Sequence, residues 1–490
     1  MATPPEDSSS HDAQQLLSCA KQLMSEVLTF SDHFADMAQT SSGDGSHVAA
    51  GALNYLKQQL KSEIQGLEGV LKKHQSNDPM APHCTSSTNL PFYEALWNVA
   101  KESRDIVALR KWVSCGQYQG KDLLSPGNHI IHHPGDSIPS KHTTTLVDII
   151  SDGGQTWVKI AAITGKRVLW DMTKLGWAVG ADDSDDEDDE DDFDDIPLFK
   201  VAKSLADSAS VHRIRGRRPK VQLVLPRIAS GESRDIDLVL NRIRKLGIQV
   251  QCSNEVSPLQ SKPLTTSTLL RMAPSPFARF SGTLNMDTSV LIALISDFSH
   301  GPVAQQSWFS SMQKGHLANE AKHKIASTWI YPALSGHKLI CTEEAAKTCR
   351  EIVSTIGTET ELARLNLVLY EDPSMTPDII RREFRVLSKY DMSENIQLPV
   401  QIMRDTASTV AEIPSEALEA LQDTTEPTKS VFAYGWASQL TTITSNGVGV
   451  NNLTRQLEDR SYQGTWPSIW LCPFSRSLVG VPKHVREAAS

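Results

Sequence analysis

No stretch of this chain is apolar for long. None approaches the roughly 18 consecutive apolar residues that a membrane-spanning helix needs, so no membrane partner is expected. Cysteine is scarce and scattered. The seven, Cys19, Cys84, Cys115, Cys252, Cys341, Cys349 and Cys472, include no pair at CxxC spacing. A zinc knuckle needs that spacing, and an odd number spread over so long a chain does not suit a disulfide framework. Reduced thiols in the cytoplasm or the nucleus fit the pattern. The opening residues, Met1 to Asp7, are polar and acidic, unlike a secretory or mitochondrial leader.

What the chain does have is ordinary globular composition, 39% hydrophobic and 22% charged over 490 residues, enough for two or three domains. The formal charge of −10 misleads. Twelve acids fall between Asp182 and Asp195, and without them the remainder carries +2. Like charges repel, so residues 181–196 are expected to be a disordered, solvated insertion. Ser184 within it offers a phosphorylation site, and the run could compete for a basic surface.

Residues 1–12 read as disordered and 13–120 as a helical bundle. Leu16, Leu17, Ala20, Leu23, Met24, Val27 and Leu28 make one helical stripe, and Leu53, Leu56, Leu60, Ile64, Leu67 and Leu71 a second. A polar loop, 77–89, precedes a third helix from about Pro91 with Phe92, Leu96, Val99, Ile106 and Leu109 inward. His129, His132, His133 and His142 crowd one loop, where exposed polarity is the expected reading and zinc the sharper one.

Residues 140–255 read as a middle α/β region. Thr145–Ile150 and Thr156–Ile163 are β-rich and joined by Ser-Asp-Gly-Gly-Gln, a hairpin signal. Asp148 and Lys159 face each other across it. They resemble half of a nuclease hairpin, but Trp157 stands where its second acid belongs, so a structural salt bridge is expected. Arg213, Arg215, Arg217, Arg218 and Lys220 form the strongest basic cluster, suited to phosphate contact or nuclear import. Strand Val221–Leu225, helix Asp235–Leu246 and strand Ile248–Cys252 then form a β-α-β unit, which implies a parallel pair. It lacks a glycine-rich phosphate loop, so nucleotide binding is not supported. A Ser/Thr/Pro-containing linker covers 256–280, and a tail covers 472–490.

The stretch Leu284–Phe298 is the most telling. A short apolar strand ends at Asp287, Thr288 and Ser289 offer helix caps, and Val290, Leu291, Leu294 and Ile295 give a buried helical stripe. An acid at the carboxyl end of a strand faces the crevice where α/β sheets bind ligands, although Asp is also a favoured cap without chemistry. Downstream, Leu339–Cys341 reads as a strand, and Thr342 as the cap of a helix reaching Ile356. Leu365–Tyr370 and Lys429–Tyr434 read as strands, 377–391 as helix and Gly447–Val450 as an edge strand. That alternation predicts a parallel α/β domain over 281–471.

Asp287-Thr-Ser-Val-Leu-Ile292 resembles the first motif of PIN-fold nucleases. Together with Ser87–Leu90, Leu146–Lys159 and Val431–Leu453, in that order, it resembles the eukaryotic family called domain of unknown function 1308, or UPF0415. The resemblance implies a C-terminal PIN-like three-layer domain with a parallel sheet, preceded by an α/β region and a helical bundle. In PIN folds, strand-end acids gather Mg²⁺ or Mn²⁺, which activates water against a phosphodiester. By position, Asp287 matches the first acid and Glu343 the second, with Glu344 beside it. The third falls on Trp436, which binds no metal, and Ser438 is a poor substitute ligand.

The expected function is therefore a catalytically impaired, nuclease-derived scaffold that binds RNA or a protein. Trp436 would stack on a base or fill the vacated space. The alternatives are a Mg²⁺- or Mn²⁺-dependent ribonuclease using Asp287 and Glu343, and an assembly factor acting through its bundle and basic loop.

Overall fold

The computed structural model describes residues 8–39, 45–76, 78–114, 144–177, 190–214, 217–255, 263–404 and 406–481. The histidine-rich loop, Arg215 and the acids of 182–189 lie outside them. The fold is mixed α/β and divides into two compact units, one mainly of residues up to Pro274 and one mainly of Ser275 onward. None of the described helices is long and apolar enough to cross a membrane.

The first unit begins with long amphipathic helices α1 (Ser8–Gln39) and α2 (Gly45–Gln75), followed by α3 (Leu90–Glu102). Val27, Phe30, Leu53, Leu56, Leu60, Leu96 and Trp97 share one core, as their helical spacing requires. Helix α1 starts at Ser8, inside the stretch expected to be disordered, and a short helix, Ala81–Ser86, interrupts the expected loop. Helix α3 stops at Glu102, and Leu109 lies instead on strand β1 (Ala108–Ser114). The apolar periodicity ran on, but it had changed from helix to strand.

Strand β1, β2 (Thr144–Ser151) and β3 (Thr156–Ile160) form an antiparallel meander. Helices α4 (Gly165–Lys174) and α5 (Pro197–Val211) lead to β4 (Lys220–Leu225), then α6 (Arg234–Lys245) and β5 (Gln249–Cys252). The strand order is β1-β2-β3-β4-β5, with β4 parallel to β3 and β5 parallel to β4, as the β-α-β reading requires. Asp148 and Lys159 form the expected salt bridge at 3.3 Å.

One expectation is corrected in this unit. The acidic run is not solvated to its end. Residues 190–195 form a short 3-10 turn, and Phe193 is buried against Trp177, Phe199 and the Arg242 guanidinium. One aromatic among acids is enough to anchor the end of the run, while Asp195 pairs with Lys200 at 3.4 Å and Asp194 with Lys203. The stretch read as a linker contains a helix, Thr266–Met272, whose Met272 is fully buried.

In the second unit, β6 (Thr283–Met286) runs into α7 (Thr288–Ile295), and α8 (Ser311–His323) follows. Then come β7 (Lys338–Thr342), α9 (Glu343–Ile356), α10 (Glu359–Val368), α11 (Pro377–Val386) and β8 (Gln401–Met403). Helix α12 (Glu426–Ala437), β9 (Thr441–Thr444), α13 (Gly447–Asp459) and β10 (Ile469–Leu471) complete it. The five strands lie in the order β10-β9-β6-β7-β8, and every pair is parallel. The chain moves outward from β6 through β7 to β8, then returns to the other side of β6 for β9 and β10. This is a doubly wound sheet, with its order reversing between β6 and β9.

Three strand expectations fail in this unit. Leu365–Val368 closes α10, Lys429–Tyr434 is interior to α12, and Gly447–Val450 opens α13. A short apolar run does not distinguish a strand from a helix buried on several sides. Helix α12 has such a run, with Val431 to Trp436 all buried, and Pro427 in its first turn is a helix-start signal. The strand at that place is Thr441–Thr444, a polar sequence that is nonetheless wholly buried.

Candidate functional site

The parallel sheet brings the ends of β6, β7 and β9 side by side. Asn285 pairs with Ile340 on β7 and Thr442 on β9. The continuing register sets Asp287 beside Thr342 and Thr444. Each strand then turns directly into a helix capped by its own side chain: Asp287 caps α7, Thr342 caps α9 and Asn446 caps α13. The positive ends of three helix dipoles therefore meet one edge of the sheet.

Asp287 is 4% exposed. Its Oδ2 accepts the Ser289 hydroxyl at 2.5 Å, the Thr444 hydroxyl at 2.7 Å and, more weakly, the Ser289 N–H at 3.4 Å. Hydroxyls, not a basic side chain, satisfy the carboxylate among the described residues. Ser289 also accepts the Ser445 N–H at 2.8 Å, and Thr444 accepts the Asn446 N–H at 2.9 Å. The Asn446 amide donates to Thr428 at 3.2 Å and accepts from Gly449 at 2.9 Å. Asp287 is thus both the strand-end acid and the plain helix cap that the sequence left as alternatives.

Glu343 and Glu344 open α9 at the neighbouring strand end, so the fold brings the two sequence-matched acids to adjacent strands. It does not join them through a shared hydrogen bond. Glu343 is exposed and lies 3.7 Å from Arg404, which also pairs with Glu371. Arg350 holds Glu371 from the other side at 2.7 Å, and its hydrogen bond is the main reason that the Glu371 carboxyl titrates below its ordinary range. Glu344 accepts the Ser430 hydroxyl at 2.7 Å, and the Ser430 oxygen lies 3.2 Å from the Thr342 hydroxyl.

Trp436 is elsewhere, which corrects the expectation that it stands in for a third acid. It lies in the last turn of α12, just before β9 begins, so it belongs to the amino end of that strand. It is 7% exposed, donates its indole N–H to the Thr465 carbonyl at 2.7 Å, and meets Tyr462 edge-on. It is a core residue, unavailable for stacking on a base. Ser438, at the end of the same helix, is likewise no ligand substitute. The residues at the carboxyl end of β9 are Thr444, Ser445 and Asn446, and all are neutral. The sequence hides them, because Lys429–Tyr434 has the residue types of a strand and Thr441–Thr444 does not.

Among the described residues, no group of three or more His, Cys, Asp and Glu side chains is placed to hold a metal ion. In the basic cluster, Ile214 and Arg217 pair through their backbones, at 2.8 and 3.2 Å. Arg217, Arg218 and Lys220 are exposed, and Arg213 is half-buried.

Fold and site define a protein with a doubly wound α/β unit whose hydroxyl-rich carboxyl edge carries one buried acid. Residues 284–397 match the model of a family described as protein of unknown function (DUF1308), which supports the family expected from the sequence. No curated protein and no solved structure matches the chain.

Proposed function

We propose that this chain is a nuclease-derived scaffold with a PIN-like second unit that binds RNA without cleaving it. One observation carries the catalytic half of that reading. Asp287, the acid of the central strand, gives its carboxylate to Ser289 and Thr444, and the adjoining end of β9 is neutral. A hydrolytic metal must be held with an open position for its water. Mg²⁺ in particular wants a near-octahedral set of oxygens anchored by acids. Glu343 and Glu344 are turned to Arg404 and Ser430, so the donor set present does not fit Mg²⁺ or Mn²⁺.

The exposed Arg217, Arg218 and Lys220, beside Arg213 and Arg215, support the RNA half. Such a cluster neutralises phosphates without reading bases, so its binding weakens as salt rises. Filter binding of a single-stranded RNA at increasing salt tests this. Salt-sensitive binding of uncut RNA is expected, weakened by Arg217→Gln with Arg218→Gln. Absence of RNA binding, or binding indifferent to both salt and these substitutions, contradicts it.

A further inference from the structure

The sheet of the first unit holds an ion cluster whose charges do not balance among the described residues. The β2–β3 ladder runs from Ser151–Thr156 to Ile149–Val158 and stops there. Asp148 lies at its end, fully buried, its Oδ2 accepting the Ile160 N–H at 2.8 Å. Two cations share this one carboxylate: Arg110 bonds Oδ1, and Lys159 lies 3.3 Å from Oδ2. Their side chains are only 11% and 16% exposed. Among the described residues no second carboxylate pairs with either cation, which leaves one positive charge over in a largely dehydrated place, where an uncompensated charge is costly.

Arg110 is held for a purpose that strand β1 alone does not explain. Its φ is +58°, a left-handed backbone that non-glycine residues seldom adopt. The β1–β2 pairing skips it, passing from Leu109–Ile149 to Lys111–Val147. Its guanidinium lies 5.0 Å from the Phe92 ring centre and 5.7 Å from that of Tyr55. Nε donates to Gln59 at 3.0 Å and Nη1 to Asp148. A guanidinium has five N–H donors, and those of Nη2 have no partner among the described residues. Lys159 donates to the Leu146 carbonyl at 3.1 Å besides facing Asp148.

We propose that Arg110 and Lys159 form a binding site for a phosphate group. The surplus charge calls for an anion. The fixed guanidinium fork matches phosphate oxygens, and the ammonium adds a second, rotatable donor. Phosphate brings three acceptor oxygens and more than one negative charge to a site with donors from two strands. Asp148 positions both cations and is not itself a ligand. The site rests on none of the residues of the second unit's crevice, nor on the basic cluster.

The test is calorimetric titration of the full chain with inorganic phosphate, then a nucleoside monophosphate, then a short oligoribonucleotide. Saturable binding is expected, weakened about tenfold or more by Arg110→Gly and by Lys159→Gln, the loss of one charge-assisted hydrogen bond each. Glycine suits the positive φ, and either variant leaves Asp148 one cation, so both are expected to fold, which a thermal melt checks. Binding of the first two ligands assigns a free-phosphate or nucleotide site. Binding of the oligomer alone assigns a phosphodiester chain. No saturable binding of any of the three, or wild-type affinity in either folded variant, overturns the proposal.

Discussion

Thr444 donates its hydroxyl to the Asp287 carboxylate at 2.7 Å, joining the ends of two strands on either side of the point where the sheet order reverses. Thr444 is fully buried and also accepts the Asn446 N–H, so it fastens the start of α13 as well. In Thr444→Val both bonds go and their partners stay buried. The expected cost is about 2 kcal/mol of unfolding free energy, read from the urea midpoint. An unchanged midpoint would mean that water replaces the hydroxyl without loss.

Gly435 lies where α12 crosses the sheet. A Cβ there would collide with the Thr442 hydroxyl and stand 2.7 Å from the Asn285 amide. That amide is buried and committed to the Val431 carbonyl at 2.8 Å, so it has little room to yield. Gly435→Ala is expected to destabilise by about 1–3 kcal/mol through overpacking. At Gly447 a Cβ would meet only Leu471, at 3.8 Å, and Gly447→Ala is expected to be mild. Equal melting temperatures for the two variants would contradict this packing of α12.

His300 makes the second unit sensitive to acid. Its Nε2–H donates to the Leu294 carbonyl at 2.6 Å, and Nδ1 accepts the Tyr331 hydroxyl at 3.2 Å. Burial, reinforced by the Arg364 charge, pushes its pKa down to about 3. The unfolded chain takes up this proton near the ordinary value of about 6.5. Between the two the unfolded state binds more protons, so stability falls as pH drops from about 6.5 toward 3. His300→Gln is expected to lower stability at neutral pH yet flatten that fall. Urea midpoints at pH 7, 5 and 4 measure it, and parallel curves for both proteins would contradict it.

Much of the fold was legible because hydrophobic period and caps agreed. Thr342 capping a helix to Ile356, the hairpin around Gly153 and the β4-α6-β5 unit all carried both signals. What failed were short apolar runs. Val431 to Tyr434 has the residue types of a strand, yet buries itself as a helix, and the true strand, Thr441–Thr444, looks like a polar loop. That exchange hides Thr444 beside Asp287 from a reading of the sequence, while the family resemblance points to Trp436. Asp287 was legible from its place between strand and helix. Ser289 followed it as a cap candidate, but its bond to the carboxylate was not legible. Arg110 gave no signal, because nothing local announces a left-handed arginine inside a strand.

The most direct measurement is hydrolysis of a labelled single-stranded RNA by the purified full chain, with Mg²⁺, with Mn²⁺ and with chelator. The expected result is no cleavage above a protein-free control in any of them, for wild type and Asp287→Asn alike. Metal-dependent cleavage by the wild type that vanishes in Asp287→Asn would contradict the account and make the carboxyl edge an active site.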